Sequence, residues 1–155
     1  DILTAGKALG AGMPIGAFIS SNKIMESLSD NPMLGHITTF GGHPVVCASG
    51  LAGLNVLERE NIIAGVEEKG ELFESLLQHS NIKEIRRSGL LFAIELSNPA
   101  EVQQVVNYCQ DKGVLSFWFL SCPESFRIAP PLNIADEDIR FGCQVIKEAL
   151  DLISL

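Results

Sequence analysis

From residue 82 onward the apolar and polar positions switch between two periods. Ile82-Lys83-Glu84-Ile85-Arg86 and the apolar run 90–96, separated by Gly89, predict two strands with a tight connection. Asn98-Pro99-Ala100-Glu101 supplies an N-cap residue, proline at the first helical position and glutamate at the third. A helix is predicted there, with Val102, Val105, Val106 and Cys109 on one face and Gly113 as its stop. Residues 114–120 and 125–129 predict two more strands, the second ended by Pro130-Pro131 because proline has no N–H for a ladder. Ile139, Cys143, Ile146, Leu150 and Ile153 stripe a last helix over 136–153. The order β-β-α-β-β-α predicts an α+β layer with helices over a mostly antiparallel sheet.

The first half reads differently. Residues 1–4 predict a strand, 5–16 a glycine-rich loop, 17–20 a second strand and 22–29 a helix. A polar loop over 31–43 leads to Pro44, well placed as the first residue of a helix that runs to Glu60. Ile62, Val66, Phe73, Leu76 and Leu77 keep helical spacing through 61–79, predicting an amphipathic connecting helix. The expected organisation is thus residues 1–60 as part of one domain, 61–80 as a connecting helix and 81–155 as a small α+β domain. The opening Asp1-Ile2-Leu3-Thr4 carries neither Met nor a helix or turn signal, as expected of a chain cut inside a strand.

Composition narrows the functional classes. At 155 residues and 46% hydrophobic, the chain can bury one ordinary core. Eleven basic and nineteen acidic residues give a net charge of −8, and Arg86-Arg87 is the one short basic pair, which argues against nucleic acid and anionic membrane as partners. Cys47, Cys109, Cys122 and Cys143 form no C-x-x-C pair and are expected to be reduced core thiols of a cytoplasmic protein. His36, His43 and His79 stand at no short spacing from them, so no metal site is expected. No apolar run reaches the length of a membrane span, and no basic segment precedes an apolar one at the start, so a soluble, untargeted protein is expected.

Three segments could carry chemistry. Lys7 lies just past a strand in the small-residue run 6–16. That run is not a Walker A loop, since Ala8 replaces the Ser/Thr that would hold magnesium, and not a dinucleotide fingerprint, since Pro14 stands where a helix should begin. A lysine amine among apolar residues is a candidate nucleophile toward an aldehyde, although an ordinary surface lysine reads the same way. The run His36-Ile37-Thr38-Thr39-Phe40-Gly41-Gly42-His43-Pro44 joins hydroxyls, two glycines and a helix N-terminus. It suits either a phosphate corner or a plain glycine turn. Arg127, in the apolar strand Phe126-Arg127-Ile128, could hold a carboxylate or simply reach water from an edge. His36 and His43 are read as loop-packing or supporting residues.

These segments occur in one order, and the chain resembles the class III aminotransferases, the family of acetylornithine, ornithine and 4-aminobutyrate aminotransferases. D-I-L-T-A-G-K-A-L-G-A-G-M-P-I-G-A-F is similar to the segment around that family's pyridoxal lysine. H-I-T-T-F-G-G-H-P resembles its H-G-S-T-Y/F-G-G-N-P, F-R-I-A-P-P-L its R-x-x-P-P-L, and I-R-R-S-G-L-L-F-A-I-E-L its V-R-G-x-G-L-M-x-x-I-E-L. The resemblance implies an α/β fold, the C-terminal part of a fold-type I pyridoxal-phosphate (PLP) transferase: the end of the large domain plus the small domain. It implies pyridoxal 5'-phosphate as cofactor, with Lys7 as the Schiff-base lysine and proton shuttle. It also implies Thr39 on the cofactor phosphate of the neighbouring subunit in a homodimer with shared active sites, and Arg127 on the substrate carboxylate. The implied reaction passes an amino group from an amino acid or amine to a 2-oxo acid. An aminomutase, decarboxylase or racemase of the same family, and a non-catalytic truncated dimerisation module, are the alternatives.

The sequence departs from the pattern at Ile37, His43 and Arg87, where the family has Gly, Asn and often Gly. The family's phosphate loop, ring-stacking aromatic and acidic partner of the pyridinium nitrogen belong to a long N-terminal half that this chain does not include. The 155 residues alone are therefore expected to be inactive.

Overall fold

A computed structural model of the chain describes residues 1–31, 33 and 35–153, leaving out the side chain of Asp30. Residues 32 and 34 of the predicted 31–43 loop lie outside the described residues. The chain divides into two compact units, Asp1–Asn61 and Ile62–Leu155.

In the first unit, β1 (Leu3–Gly6) pairs antiparallel with β2 (Gly16–Ile19), from Leu3 opposite Ile19 to Gly6 opposite Gly16. The pairing moves β1 two residues beyond the predicted 1–4, because the register closes on the two glycines. A 3₁₀ turn, Lys7–Gly10, begins the connection between the strands. Helices α1 (Asn22–Asp30) and α2 (Pro44–Arg59) follow, and α2 packs against the Lys7 turn. This unit has little interior: Ile2, Leu3, Phe18, Ile19, Leu51 and Leu54 are all exposed.

The second unit holds the hydrophobic core. Its sheet contains β3 (Glu84–Ser88), β4 (Leu91–Glu95), β5 (Phe117–Phe119) and β6 (Cys122–Ile128), ordered β3-β4-β6-β5 and antiparallel throughout. Three helices complete it: α3 (Val66–Leu76), α4 (Pro99–Asp111) and α5 (Asp136–Leu152). Phe92, Ile94 and Phe126 of the sheet are fully buried with Val105 and Cys109 of α4 and Ile139 and Leu150 of α5. Phe73 of α3 meets Phe92 at a ring separation of 5.1 Å, tilted by 51°, a favourable aromatic geometry. Alternation along the strands sends Arg86, Ala93, Arg127 and Phe117 into one cross-strand row on the face opposite Phe92, Ile94 and Phe126.

The predicted order β-β-α-β-β-α is the observed one. Two elements differ in extent. The helix expected through 61–79 is broken: Asn61 is left-handed (φ 48°), residues 62–65 form a 3₁₀ turn, and α3 starts only after Gly65, with Glu67 and Glu68 favourably placed in its first turn. The strand expected from 114 starts at Phe117, because Gly113 (φ 82°) turns the chain so that Val114 N–H donates back to Cys109 O at 2.8 Å, closing α4.

Candidate functional site

Lys7 stands at the root of the β1–β2 hairpin. Gly6 before it is extended (φ −170°), whereas Lys7 itself takes φ 51°, a left-handed conformation that residues with a Cβ adopt at a cost. Ala11 (φ 46°) and Gly12 (φ 99°) also turn left-handed, so the segment from Lys7 to Met13 is a tightly wound knot. It is closed by Ala11 N–H to Ala8 O and Met13 N–H to Gly10 O, both 3.0 Å. The Lys7 side chain is exposed, and its amine pairs with no carboxylate among the described residues.

The knot is seated on α2 by small residues. Ser49 Oγ donates to Gly10 O at 2.8 Å. A Cβ on Gly50 would lie 2.8 Å from Leu9 O, and one on Gly53 would lie 2.7 Å from Ala11 Cβ, so the two backbones touch here as only glycine permits. Sequence reasoning passed over these three residues. Their signal is a Ser-Gly-x-x-Gly run inside a helix, where glycine weakens the helix unless a close approach requires it.

Thr39 lies in an exposed turn just before α2. Gly41 N–H donates to Thr38 O and His43 N–H to Phe40 O, both 3.2 Å. Gly42 is left-handed (φ 70°) with open space where a Cβ would stand. His43 gives α2 no side-chain cap, and no acidic residue occupies the first helical turn. Hydroxyls, free helix-end N–H groups and the positive end of the helix dipole form a donor set suited to a phosphate. His36 instead lines a groove of about 310 Å³ with Asn22, Met25, Glu26 and Ser29 of α1.

Arg127 is on β6, flanked by β4 and β5, with Ala93 and Phe117 as its cross-strand neighbours. It is thus not the edge-strand arginine that the sequence alone allowed. Its guanidinium lies 5.4 Å from the centre of the Phe117 ring. The other two arginines of this sheet are bound up in ion pairs. Arg86 pairs with Glu84 and Glu95. Arg87 pairs with Glu67 and lies 3.1 Å from Glu74, stacked over Gly70 of α3. These partners raise both guanidinium pKa values. Arg127 has no carboxylate partner among the described residues and keeps its bidentate fork available. Lys7 and Thr39 belong to the first unit and Arg127 to the second.

The cysteines divide. Cys109 and Cys143 are core thiols, pushed up to about 11 and about 12 by burial. Cys47, expected to be buried, is exposed on α2, and Cys122 is half-buried beside Ser125. All four are free, and no cluster of metal-ligating side chains occurs among the described residues. No described helix is long and apolar enough to cross a membrane.

Relatives agree in sequence and in fold. The family model "Aminotransferase class-III" matches residues 1–150. An ornithine aminotransferase of Oceanobacillus iheyensis is 35% identical over 158 residues, covering 97% of this chain and 37% of that protein. An ornithine aminotransferase from Toxoplasma gondii superposes with a TM-score of 0.87 at 33% identity, over 99% of this chain and 37% of that one. That structure has partial occupancy of PLP at its active site. A Bacillus anthracis aminotransferase gives a TM-score of 0.86 at 30% identity, over 97% of this chain and 38% of its own. The chain thus spans about two-fifths of the length of the relatives it matches, and over that span it belongs to the class III aminotransferases.

Proposed function

We propose that this chain is the Lys7-bearing C-terminal portion of a PLP-dependent aminotransferase that moves an amino group from an amino acid or amine to a 2-oxo acid. The observation that carries the reading is Lys7 itself: an exposed amine that pairs with no carboxylate among the described residues, on a left-handed turn braced against α2, in a family whose cofactor is held by a lysine.

The donor sets fit the cofactor. An aldehyde needs a free amine, which Lys7 presents, and a phosphate needs hydroxyl and N–H donors away from carboxylates, which residues 38–46 present. When bound, the cofactor supplies an electron sink for the carbon that loses its proton. Lys7 would bind the aldehyde carbon covalently and, once released by the incoming amine, carry a proton from one carbon to another through Nζ. Thr39 would donate its hydroxyl to the phosphate in the neighbouring subunit of a homodimer. Arg127 would take a substrate carboxylate in a two-pronged hydrogen bond, its plane steadied by Phe117.

The test is made on the intact protein. A visible absorbance band with PLP, and amino transfer from ornithine or another amine to 2-oxoglutarate, are both expected to vanish in Lys7→Ala. An enzyme that kept the band in Lys7→Ala would refute the assignment, and release of CO₂ without amino transfer would identify a decarboxylase instead.

A further inference from the structure

We propose that Ser49 is a positioning residue for Lys7: its hydroxyl pins the turn that carries the lysine and thereby sets how readily the Lys7 amine reacts. This rests on the reading of Lys7 as the cofactor lysine.

A serine inside a helix ordinarily turns its hydroxyl back onto a carbonyl of its own helix. Ser27 and Ser75 do so, donating to Ile24 O and Leu72 O at 2.6 and 2.8 Å. Ser49 does not. Its Oγ leaves α2 and donates to Gly10 O at 2.8 Å, with Ala11 O at 3.4 Å, across 39 positions of sequence. Gly10 O is also the acceptor of Met13 N–H, the bond that closes the turn. One carbonyl therefore joins the closure of the turn to its attachment on α2.

The attachment opposes a strain. Lys7 and Ala11 bracket the 3₁₀ segment, and both are left-handed residues that carry a Cβ. Such conformations persist where neighbouring contacts over-determine them. Gly50 and Gly53 bring the helix close enough for contact, but they add no directional bond. Ser49 is half-buried, and among the described residues it is the one side chain whose hydrogen bonding joins α2 to the turn. Without it the turn keeps its packing and loses its latch, so Lys7 can relax toward negative φ and swing its amine away from the aligned position.

The experiment measures Lys7 in the intact, cofactor-stripped protein. PLP is added, borohydride fixes the adduct as a secondary amine, and the rate of label appearing on Lys7 is read by peptide mass spectrometry, with Lys23 on α1 as an unpositioned control. Ser49→Ala is expected to slow labelling of Lys7 about fivefold, the effect of losing one ordinary hydrogen bond, and to leave Lys23 unchanged. Ser49→Thr, which keeps the donor, is expected to stay within about twofold of the parent. Alanine is the stronger helix former, so α2 itself should not unravel, and a thermal melt checks this. Equal labelling rates in Ser49→Ala and the parent, or a Ser49→Thr as slow as Ser49→Ala, would overturn the positioning role while leaving Lys7 as the cofactor lysine. A parent protein that takes no label on Lys7 would overturn both.

Discussion

Gly50 lies so close beneath Leu9 that a Cβ on it would stand 2.8 Å from the Leu9 carbonyl oxygen, and the oxygen is backbone that cannot swing aside. A mid-helix Gly→Ala change normally stabilises by about 0.5–1 kcal/mol. Here it forces the Lys7 turn off α2 and is expected to destabilise by about 1–3 kcal/mol, the cost of overpacking. Gly142 of α5 makes the control, since nothing lies within 4 Å of a Cβ built there. Thermal melts should show Gly142→Ala rising and Gly50→Ala falling.

Arg127 has no ion-pair partner among the described residues, so truncation should cost little stability and much binding. Arg127→Ala is expected to raise KM for a carboxylate substrate about 10- to 100-fold, the effect of losing a charged hydrogen-bond pair. Arg127→Lys should recover only part of this, because an ammonium cannot make the two-pronged contact. Half-reaction kinetics with an amine lacking the carboxylate, measured without any 2-oxo acid, should show almost no difference between the variants and the parent.

The Glu67–Arg87 pair gives the second unit a pH dependence. Hydrogen bonding to Arg87 is the main cause holding the Glu67 carboxyl below its usual value of 4.5, with burial pulling the other way and the Arg87 charge adding to the depression. A carboxylate depressed in the folded state adds stability above its unfolded pKa and loses it as pH falls through the folded one. Denaturant melts should therefore weaken as pH drops below that usual value of 4.5. Glu67→Gln should flatten that dependence, and an unchanged slope would remove the pair from the account.

Much of the second unit could be read from the sequence because its signals are local. Asn98 caps α4 as expected, with its Oδ1 accepting from Ala100 N–H and Glu101 N–H at 3.0 Å, while Glu101 reaches back to Ser97 N–H. Asn98→Ala should accordingly cost about 1 kcal/mol, read as a lower melting temperature. The first unit was harder because what shapes it is non-local. The seat of Lys7 on Ser49, Gly50 and Gly53 joins positions about forty residues apart, and no periodicity encodes it. The break at 62–65 was hidden for a different reason: a 3₁₀ turn carries apolar residues at nearly helical spacing.

Thiol labelling separates the two cysteine environments. Cys47 should react with a thiol reagent in the native protein, whereas Cys109 and Cys143, buried with raised pKa values, should react only on unfolding. Native labelling of Cys143 would mean that the α5 packing is open.

The central claim is that Lys7, and no other lysine, carries the cofactor. Borohydride reduction of the intact PLP-loaded protein, followed by proteolysis and peptide sequencing by mass spectrometry, tests it in one step. The expected result is a single pyridoxyl group on the peptide spanning Lys7. A label confined to Lys23, Lys69 or any other lysine, or no label on a protein that transfers amino groups, would contradict it.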